Sequence, residues 1–224
     1  MRIGVNPDYR SGDERSALAV CYNTYIVNGT LADALRLAEG PKRTAAVAAW
    51  IQSLYSSRPP VLVGGAAVEL YTGGAYTTGD FDFVGEVSES VGQALETAGF
   101  RHEGRHWVHA KAELFIEFPG SAIQAHERTA MLELEGVSVL TLSPEDMIID
   151  RLAAWQFWRS TTDGASAFLL WMAQEKRLDR KRLAKLAELR EVQRALSRLE
   201  EFARRADARA TSSEELEKWA SRVP

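Results

Sequence analysis

The chain has one cysteine, Cys21, in 224 residues. A single thiol cannot close an intramolecular disulfide, and this usage fits a reducing compartment. No apolar run reaches the roughly 20 residues that a membrane-spanning helix needs. The first residues lack the apolar core of a signal peptide, so the expected location is the cytoplasm, with no membrane partner. A basic excess is missing too. The formal net charge is −4, which gives no overall attraction to a nucleic-acid backbone and argues against a pure nucleic-acid binder. No helix-turn-helix signature appears.

What is present is ordinary for a globular chain: 46% hydrophobic and 26% charged residues, enough for a buried core in one large domain or two small ones. The informative stretch is Val61 to Phe83, VLVGGAAVELYTGGAYTTGDFDF. It reads as a buried strand, a Gly64-Gly65 turn, a short helix over roughly Ala66 to Tyr71, and a second strand carrying Asp80 and Asp82. Strand side chains alternate faces, so the two carboxylates project side by side while Phe81 and Phe83 point the other way. Adjacent carboxylates repel unless a cation lies between them. Mg²⁺ suits such a pair because it takes oxygen ligands from one or two carboxylates and from substrate phosphates. Glycines let a backbone approach a phosphate closely, and a helix N-terminus favours the phosphate's negative charge. The plain alternatives are a solvated strand face for D-x-D and a simple turn for Gly-Gly.

The order glycine pair, helix, D-x-D resembles the nucleotidyltransferase superfamily of the DNA polymerase β type. The gap between the glycines and Asp80 is slightly long for that family, and the extra Gly73-Gly74 fits a looped-out turn. The segments LVGGAAVELYTGG, TTGDFDFV, FIEFPGS and SPEDMIIDRLAAWQFW are similar to poorly characterised prokaryotic nucleotidyltransferase-like proteins, relatives of abortive-infection toxin–antitoxin nucleotidyltransferases. This likeness runs over roughly Val61 to Trp171. It implies a third carboxylate on a neighbouring strand, supplied by Ala112 to Pro119. Glu113 and Glu117 would share a face about 13 Å apart, so one alone can join the pair; hydrophobic-Glu-hydrophobic before Pro-Gly favours Glu117. The resemblance also implies a basic residue approaching the nucleotide from the helix after Ser143, where Arg151 stands; a surface salt bridge is the equal alternative.

The rest of the chain supplies the frame. Met1 to about Ser16 reads as extended or poorly ordered, with an unsupported early strand at Arg2 to Val5, and Ala17 to Val27 as helix or strand. Leu31 to Ala38 is expected to be a helix capped by Thr30, followed by a helix from about Pro41 to Tyr55. A helix over Val87 to Ala98 ends at Gly99. Phe100 to His109 is expected to be a strand turning at Glu103-Gly104; its His102, His106 and His109 do not share one face, which disfavours zinc. Arg101, Arg105 and Lys111 are candidate charges near a triphosphate. Met131 to Thr141 reads as a hairpin about Glu135-Gly136. Ser143-Pro144-Glu145 opens a helix to about Trp158, and Asp163 a helix from Gly164 to about Glu175. The last 51 residues hold fourteen Lys and Arg against ten Asp and Glu. Their leucines recur every three or four positions, giving one or two amphipathic helices starting near Asp179, then a short one capped by Ser213.

The expected fold is therefore α/β in the α+β sense: a small mixed sheet flanked by helices, with a helical C-terminal region. The expected divisions are a helical segment over 1–58, a sheet core over 59–142 and helices over 143–224. The expected function is a Mg²⁺-dependent nucleotidyltransferase, with two ions, moving NMP from an NTP to a hydroxyl on RNA, protein or a small molecule. Asp80, Asp82 and Glu117 would serve as metal ligands and catalytic acids, and Gly64, Gly65 and Arg151 would hold the nucleotide. An antitoxin or other partner protein would follow if the chain belongs to a toxin–antitoxin pair. The competing expectation is a non-catalytic nucleotide-binding or protein-interaction module on the same fold.

Overall fold

The computed structural model describes residues 4–5, 29–206 and 211–223. The expectations for the remaining N-terminal residues, including Ala17 to Val27, fall outside these. The protein is a mixed α/β structure that divides into two compact units, the first ending at Leu142 and the second beginning at Ser143.

In chain order, the first unit contains β1 (Gly4–Val5), α1 (Leu31–Leu35), α2 (Pro41–Ser53), β2 (Val61–Val63), α3 (Gly64–Thr72), β3 (Asp80–Val84) and α4 (Glu89–Thr97). It continues with β4 (Arg101–Glu103), β5 (His106–His109), a 3-10 turn (Ala110–Ala112), β6 (Leu114–Gly120), β7 (Thr129–Leu134) and β8 (Val137–Leu142). All eight strands form one sheet in the order β1-β7-β8-β2-β3-β6-β5-β4. The pairs β2/β8 and β3/β6 are parallel and the rest antiparallel.

Local chemistry explains most boundaries. The Thr30 hydroxyl and the Asp33 carboxylate close a capping box at the start of α1. Pro41 opens α2 and Gly73, with φ 64°, ends α3. Ser88 caps α4, and the Glu135-Gly136 turn joins β7 to β8 as the sequence predicts. One face of the sheet is dry: Leu62, Phe83, Ile116 and Leu132 are wholly buried. Helix α3 is pinned to this sheet at its far end, where the buried Tyr71 hydroxyl contacts Thr141 Oγ1 at 2.8 Å and donates to the Leu142 carbonyl at 3.0 Å.

Gln52 ties α2 to the sheet. Its Nε2 donates to the Pro60 carbonyl at 2.9 Å and the Leu140 carbonyl at 2.7 Å, while its Oε1 accepts from Leu140 N at 3.0 Å. Pro60 has no N–H to offer β8, so the buried amide stands in for a missing rung of the ladder. α2 thus belongs to the sheet's own unit.

The second unit is helical: α5 (Pro144–Trp158), α6 (Thr161–Gln174), α7 (Arg180–Leu189), α8 (Gln193–Arg205) and α9 (Ser213–Ala220). Ser143, Ser160, Asp179 and Ser212 cap four of them. Ser160 moves the start of α6 ahead of the expected Asp163, and Ser212, in a capping box with Glu215, replaces the expected Ser213. The leucine-periodic tail is two helices, broken where Glu191 takes φ 56°. An aromatic core holds the unit: Trp155 Nε1 donates to the Ala220 carbonyl at 2.6 Å, and Trp219 stacks on Phe202 at 4.7 Å. A Cβ at Gly164 would come within 2.8 Å of Trp155, so α6 requires glycine there to approach α5.

Gln52→Leu should leave two buried carbonyls and one buried N–H unpaired. Denaturant unfolding should show a loss of about 3 kcal/mol or more, whereas a loss below about 1 kcal/mol would show that the amide is not a structural bridge.

Candidate functional site

The strand β2 runs antiparallel to β3 with Val63 opposite Asp82, and Gly64 starts α3 directly afterwards. That register brings the N-terminus of α3 onto the strand that bears the acids. Gly64 takes φ 66°, a conformation L side chains rarely adopt, and a Cβ there would lie 1.9 Å from Asp82 Oδ2. The Asp82 carboxylate therefore occupies the space that a side chain at 64 would need. Gly65 is the second constraint, because a Cβ there would approach the Thr78 side chain to 3.1 Å. The helix is expected from Ala66 but begins at Gly64, since the left-handed glycine turns the strand straight into the helix.

The acid strand alternates as its sequence predicts. Phe81 and Phe83 are 3% and 0% exposed, while Asp80 is exposed and Asp82 half-buried on the other face. In the parallel pair β3/β6, Asp82 lies opposite Glu117 and Asp80 opposite Phe115. Neighbouring strands are about 4.8 Å apart, so Asp80, Asp82 and Glu117 lie on one polar face. Glu113 does not share it. It precedes β6, with φ 51°, at the end of the 3-10 turn. The expectation that Glu113 and Glu117 lie on one strand is corrected by that left-handed residue, and the register sets Glu117 opposite Asp82.

Glu117 is already engaged. Its Oε1 is 3.3 Å from Arg105 Nε and its Oε2 is 3.1 Å from His106 Nε2. The other two histidines of the β4–β5 hairpin stretch are spent elsewhere: His102 packs on Trp107 at 4.8 Å, and His109 Nδ1 accepts from Ala112 N at 3.2 Å. Among the described residues no three His, Cys, Asp or Glu side chains are arranged to hold a metal ion. The donor set on the face nevertheless has the hard oxygen chemistry that Mg²⁺ takes. Asp80 and Asp82 are the residues that could hold such an ion, with Glu117 a third only if Arg105 and His106 release an oxygen.

Arg151, the other expected nucleotide contact, lies on α5 in the second unit. Its Nη1 donates to Asp163 Oδ1 at 2.6 Å, and both side chains are 19% exposed. The ion-pair alternative is the geometry observed.

Two participants on or beside the acid face escape a motif search. Thr78 Oγ1 accepts from Asp80 N at 3.2 Å and fixes the loop entering β3. Phe115, 41% exposed, is an aromatic on the polar face, two residues from Glu117 along β6. Arg105 was singled out for its charge, but its partner Glu117 could be found only from the strand pairing. The alternation of Leu114, Phe115, Ile116 and Glu117 was the one signal that placed Phe115 outward.

No known protein family, curated protein or solved structure matches the chain. Among the described residues no helix is long and apolar enough to cross a membrane.

Gly64→Ala should cost the left-handed backbone, about 1–2 kcal/mol, plus the collision with Asp82. In an Asp82→Gly background only the backbone part should remain. Equal losses in the two backgrounds, measured by denaturant unfolding as a double-mutant cycle, would contradict the close packing of Asp82 on residue 64.

Proposed function

We propose that the protein is a Mg²⁺-dependent nucleotidyltransferase that moves a nucleoside monophosphate from an NTP to an acceptor hydroxyl. The observation that carries this reading is the seating of Asp82 on the glycine that opens α3, with Asp80 beside it and Glu117 in register across β6. A helix N-terminus favours phosphate, and a carboxylate pair favours the cation that accompanies it. The resemblance of the glycine pair and D-x-D to the polymerase β-type superfamily supports the same reading.

In this mechanism Gly64 and Gly65 let the backbone N–H groups of α3 receive the β and γ phosphates without a side chain in the way. Asp80 and Asp82 would be the residues that hold the ion. A bound Mg²⁺ would supply charge neutralisation for the phosphate oxygens and the leaving pyrophosphate. The acceptor oxygen bonds to the α-phosphorus, the bond to the bridging pyrophosphate oxygen breaks, and Glu117 takes the acceptor's proton on a carboxylate oxygen. Arg105 and His106 hold that carboxylate until substrate arrives. Phe115 offers the nucleotide's base an aromatic surface on which to stack.

One observation favours a second reading. Glu117 has both oxygens occupied by Arg105 and His106, an arrangement that a non-catalytic nucleotide-binding module would keep permanently.

The pure protein incubated with each α-labelled NTP, Mg²⁺, total RNA and cell protein should transfer label to one acceptor class. Asp82→Asn should reduce transfer by more than about 100-fold, beyond the loss typical of outer-shell changes, with unchanged circular dichroism. Transfer that survives in Asp82→Asn would refute the site, and absence of transfer to RNA, protein or a small-molecule pool would favour the non-catalytic module.

A further inference from the structure

On the dry side of β3, away from the acid face, a cavity of about 540 Å³ opens between α2, α3 and the ends of β3 and β6. Its polar lining includes Glu39, Arg43, Thr44, Glu69, Thr77 and Glu113, over a floor that includes Phe81 and Leu114. This is an ordinary size for a small-molecule pocket, apolar below with a few converging polar groups.

Glu69 distinguishes the cavity. It projects from α3, is 2% exposed, and accepts from Thr78 N at 3.4 Å. Burial pushes its carboxyl above the ordinary value, while hydrogen bonds from Thr78 N and the Thr44 side chain pull it back. Among the described residues it has no cationic partner. The one cation in the lining, Arg43, is otherwise committed: its Nη2 donates to the Ala112 carbonyl at 3.2 Å and its Nη1 lies 3.7 Å from Glu39. A carboxylate kept from water without a counter-charge is costly, so the cavity presents an acid that a cationic ligand would complete.

Three carboxylates on separate elements, Glu39, Glu69 and Glu113, line the cavity with threonine hydroxyls beside them. An anion would meet three carboxylates against one engaged guanidinium. An ammonium satisfies the acids with three donors from a compact head, and the Thr44 and Thr77 hydroxyls can bond a polyhydroxylated body. We infer that this cavity is a binding site for a small hydroxyl-bearing amine, with its ammonium between Glu69 and Glu113. The inference goes beyond the proposed transfer and does not depend on it.

Calorimetric titration of the full chain with glucosamine, against glucose as a matched neutral probe, tests this. Glucosamine should bind and glucose should bind at least about tenfold more weakly, as expected when one partner of a buried charge pair is removed. Glu69→Gln, which keeps the size of the side chain, should weaken glucosamine by about the same factor. The exposed Glu113→Gln, which cannot disturb the core, should weaken it by a smaller factor. Asp82→Asn should bind glucosamine as the wild type does, even if it abolishes nucleotidyl transfer. No binding of glucosamine, equal binding of glucose, or undiminished binding by both glutamine variants would overturn the assignment.

Discussion

Gly64 has room for no side chain. Its left-handed backbone and the Asp82 carboxylate filling the space of its absent Cβ join a strand, a helix and an acid in one contact. The antiparallel register of Val63 with Asp82 sets the contact, and the parallel register of Asp82 with Glu117 extends it to the next strand. Thr78 closes the other side, packed on Gly65 and bonded to Asp80 N. The polar face thus inherits its geometry from the sheet ladder and owes little to long flexible side chains. Sites built on strands and helix ends hold their groups more tightly than sites on loops.

The same helix serves both faces of the unit. Its N-terminus meets the acids, its far end is fixed by Tyr71 against Thr141 and Leu142, and Glu69 between them faces the cavity. Gln52 strengthens the frame by replacing a rung that Pro60 cannot supply. A change that shifts α3 along its axis would therefore disturb the acid face and the cavity together. The charged tail has a plainer role in the structure. Leu183, Leu186, Leu196 and Leu199 are buried, and two of the basic residues turn inward as well: Arg182 pairs with the buried Asp146 and Arg198 lies over the Trp155 ring.

Much of this was legible before any coordinates, for physical reasons that differ by element. The period-two pattern of Asp80 to Phe83 survives because one face of β3 is dry. The hairpin at Glu135-Gly136 and the helix at Ser143-Pro144 follow from turn and cap chemistry. The glycine pair was readable as a close-approach turn, but the group it approaches was not, because strand register is a long-range property. For the same reason the partners of Glu117, Arg105 and His106, could not be read from the sequence. Glu113 was placed on the strand because local sequence cannot announce a left-handed residue that is not glycine. Ser212 and Ser213 are chemically equal caps, and the capping box with Glu215 decided between them. Arg151 was read as ion pair or nucleotide contact with equal weight, and the neighbouring helix supplied Asp163. The cavity left no motif, since its lining comes from separate elements that only the fold brings together.

The acid face is the account's central claim, and cation binding measures it most directly. Mn²⁺, titrated into the full chain and followed by electron paramagnetic resonance, should bind weakly alone, since Arg105 and His106 occupy Glu117. With a non-hydrolysable NTP present it should bind tightly, and the Asp80→Asn, Asp82→Asn double variant should lose that tight binding. Nucleotide-dependent Mn²⁺ binding that persists in the double variant, or no gain on adding nucleotide, would contradict the claim that the strand after Gly64-Gly65 cradles a metal-bound triphosphate.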